Sequence, residues 1–318
     1  MRVLVTGGAG YIGSVVTAQL IAGGHETIVV DDLSTGYADA VPPGAEFHET
    51  SITEVGPLLA GVDAVIHFAA KSLVGESAQN PSLYWRGNVV ATVTLLDLLR
   101  DAGVNRIVFS STAATYGQPE EQPIREDAAT RPNSPYGATK LAIDMLLTDY
   151  ARSYGLAPVS LRYFNVAGAL HADDGRSYGE RHDPETHLIP NALRSAAGNG
   201  KQMALFGTDY PTSDGTCVRD YIHVVDLGEA HLRALDAAEA GIHHIVNLGS
   251  GDGHTVRQVL DAIEQVTGSP VPVVEADRRA GDVAVLIASN ERAASLLGWR
   301  PTRDLTTMIE DAWRFEQG

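Results

Sequence analysis

The chain of 318 residues carries one cysteine, Cys217, so no internal disulfide can form. A lone thiol of this kind is expected in the packed interior of a protein kept in a reducing compartment. No uninterrupted apolar run approaches the roughly 20 residues that a membrane-spanning helix needs, so no membrane partner is expected. Nor does a basic-then-apolar leader precede Met1-Arg2-Val3-Leu4-Val5, which reads directly as strand, and a cytoplasmic location is expected from that. Basic residues are in short supply: 23 Lys and Arg face 40 Asp and Glu, for a net charge of −17. Such a field repels nucleic acid, which is not expected as a partner. A phosphorylated small ligand would still be held if particular arginines and a helix N-terminus overcame the global charge locally. Repeats, low-complexity tracts and flexible linkers are lacking too. What remains, 44% hydrophobic and 20% charged, is the composition of a globular protein with a sizeable core. Its length fits two domains, or one large domain with an appended lobe.

The most patterned stretch is the first. Arg2 to Thr6 is a short β-rich run ending on Gly7-Gly8-Ala9-Gly10-Tyr11-Ile12-Gly13, after which Val15, Val16, Leu20 and Ile21 recur at helical spacing until Gly23-Gly24. A second β-rich run, His25 to Val30, closes on Asp31-Asp32. Strand, glycine turn, helix and strand make a βαβ unit. Glycines at 7, 10 and 13 permit a tight turn, close approach of backbone to a pyrophosphate, and close packing of helix on sheet, while the helix N-terminus supplies N–H donors. Asp31 can accept hydrogen bonds from an adenosine ribose and would repel a 2′-phosphate, so the expected cofactor is NAD rather than NADP.

Further β-rich runs at Asp63 to Phe68, Arg106 to Ser110 and Pro158 to Tyr163 alternate with helical patterns such as Asn88 to Ala102. That alternation predicts an α/β fold with a doubly wound parallel sheet, the Rossmann arrangement. Ligands of such sheets lie beyond the carboxyl ends of the strands, where Asp31, Phe68-Ala69-Ala70, Ser110-Ser111-Thr112 and Tyr163-Phe164-Asn165 fall. The expected division is a NAD-binding domain over residues 1–165, with about 219–248 returning to its sheet, and a smaller C-terminal α/β substrate lobe over 166–318. In the second part, Leu188 to Ala197 reads as helix and Met203 to Phe206 and Val218 to Val224 as strands. Asp226 reads as the cap of a helix to Ala238, and His243 to Leu248 as one more sheet strand. Gly168 to Glu185, rich in Gly, Asp, Arg and His, reads as a loop that orders over a ligand.

Ser134-Pro135-Tyr136-Gly137-Ala138-Thr139-Lys140 carries the chemistry. If Pro135 opens a helix, Tyr136 and Lys140 share one face a turn apart. A neighbouring ammonium favours phenolate and lowers a phenol's pKa from its reference value of about 10, so Tyr136 is a candidate base for a substrate alcohol.

With Gly7-x-x-Gly10-x-x-Gly13, a hydroxyl at Thr112 after a strand, and Tyr136-x-x-x-Lys140 on the next helix, the chain resembles the extended short-chain dehydrogenase/reductase family almost end to end. The motifs His67-Phe68-Ala69-Ala70, Gly75-Glu76-Ser77, Leu161-Arg162-Tyr163-Phe164-Asn165, Phe206-Gly207-Thr208-Asp209-Tyr210 and Asp214 to Val224 are similar to those of its nucleotide-sugar epimerases. The resemblance implies interconversion of UDP-galactose and UDP-glucose. Tightly held NAD would oxidise C4 and return hydride to the opposite face of a rotated 4-keto sugar. Tyr136, Lys140 and Thr112 are implied as catalytic. Implied cofactor contacts are Gly7, Gly10, Tyr11, Ile12, Gly13, Asp31, Asp32, Ser34, Phe68, Ala69, Ala70, Asn88, Thr112, Tyr136, Lys140 and Phe164, with Ser51 and Ile52 beside adenine. Ser51 stands where relatives commonly have Asp. Implied contacts to the UDP-sugar are Thr112, Tyr136, Asn165, His187, Leu188, Ala204, Leu205, Phe206, Arg219, Arg279 and Asp282. The two arginines answer the local need for positive charge. A homodimer is implied as well, and apolar positions in Val89 to Leu99 and Leu141 to Leu147 serve either its interface or the core.

Two readings are set against these. His171, His182 and His187 stand among acids, but their spacing matches no compact ligand set, and no metal is expected. Dehydratases of the same family place an acid and a base directly after the catalytic hydroxyl, where this chain has Ala113 and Ala114, which transfer no proton. An epimerase acting on N-acetylated sugars, for which the size of Leu286 matters, and a net oxidoreductase stay open as alternatives.

Overall fold

The computed structural model describes residues 1–279 and 281–318. Its frame is a seven-stranded parallel sheet built from β1 (Arg2–Thr6), β2 (Glu26–Asp31), β3 (Glu46–Glu49), β4 (Ala64–His67), β5 (Arg106–Thr112), β6 (Ala157–Tyr163) and β7 (His244–Leu248). The spatial order is β7-β6-β5-β4-β1-β2-β3. Parallel strands covered on both faces should be apolar nearly throughout. Thus Val3 to Thr6, Thr27 to Asp31 and all of β4 and β6 are buried. Alternation divides their side chains. Val3, Val5 and Val29 pack under helices Tyr11–Ala22 and Val224–Ala237, whereas Leu4, Ile28 and Val30 pack under Ala91–Ala102 and Pro135–Tyr154. The doubly wound α/β fold expected from the strand–helix alternation is therefore present. From β1 the chain runs out one way to β2 and β3, then back the other way to β4. A ligand crevice opens at that reversal, beyond the carboxyl ends.

A third core gathers Ile189, Leu193, Tyr221, Val259, Ile263, Met308 and Ile309, from helices Leu188–Ala196, Val256–Thr267 and Leu305–Gln317 and from strand Val218–His223. That strand does not enter the large sheet. It pairs with Asn165–Ala167, Gly253–Thr255 and Val285–Leu286, so of residues 219–248 β7 joins the large sheet, while helix Val224–Ala237 and Ile222 pack against it. Strand Met203–Phe206 pairs in parallel with Val273–Ala276.

Several local expectations shift. β3, with the sequence Glu46-Phe47-His48-Glu49, has no β-branched residue and little strand signal of its own, and its edge position beside β2 makes it one. The helix expected from Asn88 is regular only from Ala91, after a π-helical stretch Trp85–Val90 that leaves Asn88 buried. Asp226 is not the cap of its helix. His223 is, its Nδ1 accepting from the Val225 N–H at 3.0 Å, while the fully buried Asp226 carboxylate accepts from the N–H groups of Thr302 and Arg303 and pins the C-terminal segment.

Candidate active site

A cleft of about 920 Å³ runs along the carboxyl edge of the sheet into the second lobe. Its inner end is the glycine turn. A Cβ on Gly13 would stand 2.1 Å from the Gly7 carbonyl oxygen, and one on Gly7, at φ 73°, would meet the Ala69 nitrogen at 2.6 Å. Backbone has to pass that closely for the helix to start where it does. Helix Tyr11–Ala22 begins without a side-chain cap, so its first-turn N–H groups are left pointing into the cleft. These are the features a dinucleotide pyrophosphate requires.

Asp31, at the end of β2, accepts from Ala9 N–H at 3.0 Å and Leu33 N–H at 2.9 Å. Burial pushes its carboxyl up, and those two backbone donors oppose the shift. Asp31 therefore fixes the glycine turn and lines the cleft. Asp32, Ser34, Ser51 and Ile52 line the same end, with the Ser51 hydroxyl accepting from Thr53 N–H. Phe68 and Ala69 are anchored by their N–H groups on the Thr6 carbonyl, and Phe164 on that of Leu248. Asn88, also an expected cofactor contact, is fully buried just behind the residues that line the cleft. Its amide accepts from Lys71 N–H at 2.8 Å and donates to the Lys71 carbonyl at 3.0 Å and Thr139 Oγ1 at 3.2 Å. It thereby holds Lys71, next in the chain to Ala69 and Ala70.

At the centre, Pro135 opens helix Pro135–Tyr154, Ser134 Oγ accepts from Gly137 N–H, and Ser77 Oγ accepts from Tyr136 N–H at 3.2 Å. Tyr136 and Lys140 both line the cleft, with Thr112 opposite. Their electrostatics differ from the sequence expectation. Burial pushes the Tyr136 phenol up to about 12, the Thr112 hydroxyl pulls the other way, and Lys140 exerts no resolved effect on it. The Lys140 Nζ lies 6.0 Å from the Tyr136 ring centroid, 4.8 Å above the Phe109 ring, and donates to the Ser110 carbonyl at 2.6 Å. Burial brings it down to about 7, and Asp144 one turn on raises it. Desolvation outweighs the (i, i+4) spacing because both groups sit out of water.

At the outer end Asn165 donates from its amide to the Asp220 carbonyl at 2.9 Å. His187 caps the helix that Leu188 begins. Arg219 donates to the carbonyls of Val218 and Val283, both at 2.9 Å, and stands 3.6 Å from Asp282. Arg279 reaches Asp282 at 3.3 Å and covers the Phe206 ring at 4.7 Å. Two guanidiniums thus share one carboxylate, which leaves net positive charge at this mouth. Ala204, Leu205, Phe206 and Arg279 stand outside the cleft wall, linked to it through Asp282. Sequence reasoning did not name Asn133, and it named Ser77, Ser110, Tyr163 and His182 without giving any of them a part in the site. All of these but Ser77 line the cleft, and Ser110 acts through its carbonyl, which no residue pattern reveals.

Fold and cleft together are those of a dinucleotide-dependent α/β enzyme, with Thr112, Tyr136 and Lys140 lining the cleft. Residues 3–249 match the model of the NAD dependent epimerase/dehydratase family, and the chain belongs to that family. The UDP-glucose 4-epimerase of Corynebacterium glutamicum is 53% identical over 319 residues, 99% of this chain and 95% of the relative. Among solved structures, UDP-glucose 4-epimerase from Brucella ovis in complex with NAD superposes with a TM-score of 0.93 at 45% identity, over 99% of this chain and 98% of that one. The UDP-glucose-4-epimerase from Stenotrophomonas maltophila, with bound NAD and formylated UDP-arabinopyranose, gives 0.94 at 39%, over 100% and 98%.

Proposed function

We propose that this chain interconverts UDP-galactose and UDP-glucose, with Tyr136, Thr112 and Lys140 acting at the sugar C4 hydroxyl. The observation that carries the reading is the meeting of these three side chains, in one cleft, with the uncapped glycine-turn helix on one side and Arg219 beside Asp282 on the other. Bound along Gly7 to Gly13, Asp31 and Phe68 to Ala70, NAD supplies a hydride acceptor and donor and a positively charged ring. The chain's own residues do the rest. Tyr136 takes the proton from the 4-hydroxyl as hydride leaves C4 and returns it when hydride comes back. Thr112 donates to the developing carbonyl oxygen. Lys140, held on the Ser110 carbonyl, keeps positive charge within reach of the phenolate.

For the UDP portion, Arg219 and Arg279 meet the pyrophosphate, with Asn165, the His187–Leu188 helix start and Asp282 around it and the Ala204–Phe206 strand along the uracil. Most affinity then resides in the nucleotide, which leaves the hexose free to turn. Ala113 and Ala114 form the short turn after Thr112, and both line the cleft. Neither transfers a proton, so the 4-keto sugar persists until hydride returns and is not dehydrated. The test is direct: purified protein mixed with UDP-galactose should yield UDP-glucose without added oxidant. No conversion by folded, NAD-loaded protein overturns the reading.

The working unit we infer is a homodimer in the cytoplasm. No helix among the described residues is long and apolar enough to cross a membrane. Trp85, Val90, Met145 and Tyr154 are exposed, Met145 at 63%, along helices that flank one face of the sheet, which supports pairing through that face. Sedimentation should give twice the chain mass for the wild type and the single mass for Met145→Glu. A wild-type monomer, or a variant that stays dimeric, counts against this face.

A further inference from the structure

The loop along the cleft wall brings together four side chains whose spacing in the sequence matched no ligand set: Glu180, His182, Glu185 and His187. One ligand atom from each lies within 4.8 Å of all the others. His182 Nδ1 stands 2.8 Å from Glu180 Oε1 and 3.8 Å from Glu185 Oε1, and His187 Nδ1 contacts Glu180 and lies 3.9 Å from Glu185 Oε1. Two carboxylates are thus sunk side by side, with side chains only 7% and 3% exposed. Glu185 Oε1 is oriented by the N–H groups of Thr186 and His187 at 2.7 and 2.8 Å. Its Oε2 is buried with no hydrogen-bond partner, an unspent acceptor on a carboxylate of the cluster. The imidazoles lie on the outer side: both line the cleft, and His187 is 55% exposed.

We propose that these four residues form a binding site for a divalent first-row transition cation. Two imidazoles and two carboxylates are the donor set that zinc and its neighbours take up, at bond lengths of about 2.0–2.2 Å. Four ligands at those lengths stand about 3.3 Å apart around a tetrahedron, so the preformed spacing needs only small adjustment. Backbone donors on one carboxylate supply the outer support that fixes a ligand's direction. The cation's role is structural. It ties the segment from Gly168 onward to the cap of helix Leu188–Ala196, and so fixes the wall that faces Tyr11, whose hydroxyl donates to the Gly168 carbonyl at 2.6 Å. The competing state is a closed cluster of protonated imidazoles and carboxylates that needs no ion.

Chelator-treated full-length protein, dialysed against Zn2+, should retain one ion per chain. With Co2+ as the probe it should show the visible d–d bands of a low-coordinate nitrogen and oxygen site. Glu185→Gln and His182→Gln should each weaken Zn2+ binding at least about tenfold. Zn2+ should also slow proteolysis within residues 168–187 of the wild type and leave both variants unprotected. Substoichiometric Zn2+ in the wild type, absence of the Co2+ bands, or full retention by both variants overturns the site. The wild-type measurements decide the matter even if a variant fails to fold.

Discussion

Tyr136→Phe should lower kcat by about 10²- to 10⁴-fold while leaving the affinity for UDP unchanged. The variant keeps the ring, which carries the packing, and removes only an oxygen whose pKa the neighbouring Thr112 hydroxyl lowers. A single hydroxyl adds little to stability, about 1 kcal/mol at most, so the fold is expected to survive. The effect falls on the transition state because the phenol oxygen exchanges a proton there and touches nothing in the nucleotide subsite. A pH signature accompanies it. With the phenol pushed up to about 12, the phenolate is the minor form at neutral pH, and its fraction grows about tenfold per pH unit. The wild-type kcat/KM should therefore rise with pH until the Lys140 ammonium, brought down to about 7, is lost. In the Phe variant the rising limb should be gone. Steady-state kinetics between pH 6 and 9 and calorimetry with UDP check both parts. Equal losses of binding and turnover would make Tyr136 structural.

Much of this arrangement is written locally in the chain. The glycine turn, the run of β-rich segments and the Ser134 to Lys140 motif are short-range signals, and each ends up where short-range reasoning puts it, on one edge of a parallel sheet. Quantities set by the surroundings are not written there. Spacing brings Lys140 onto the face of Tyr136, but whether an ammonium or the loss of water governs the phenol depends on Phe109 and the Ser110 carbonyl, which come from β5. Asn88 carries an amide suited to a cofactor, yet the π-helical stretch turns it inward to Lys71 and Thr139. Likewise the paired histidines and glutamates of 180–187 look scattered in one dimension because a turn, not a helix or strand period, gathers them. Edge strand β3 is legible only once β2 stands beside it.

The same dependence on surroundings makes Asp144 the second residue whose removal should cost most. Asp144 Oδ2 accepts from Ser111 Oγ at 3.1 Å and from the Arg162 Nε and Nη2 at 3.1 and 2.9 Å, with both charged side chains at most 3% exposed. Asp144→Ala leaves a buried guanidinium without its counter-charge, and a loss of about 3–5 kcal/mol of stability is expected by denaturant unfolding. Activity should fall too. Asp144 raises the Lys140 ammonium, so without it that pKa drops further below its ordinary value. Less cation then remains at neutral pH, and the deficit should be larger at pH 8 than at pH 6. A paired replacement separates the two roles. Asp144→Leu with Arg162→Met removes both charges and should recover most of the stability, since exchanging a buried ion pair for packed apolar groups is often close to neutral. The deficit in activity should remain, because Lys140 still lacks its neighbour. If the double variant regained both, Asp144 would matter to the fold alone.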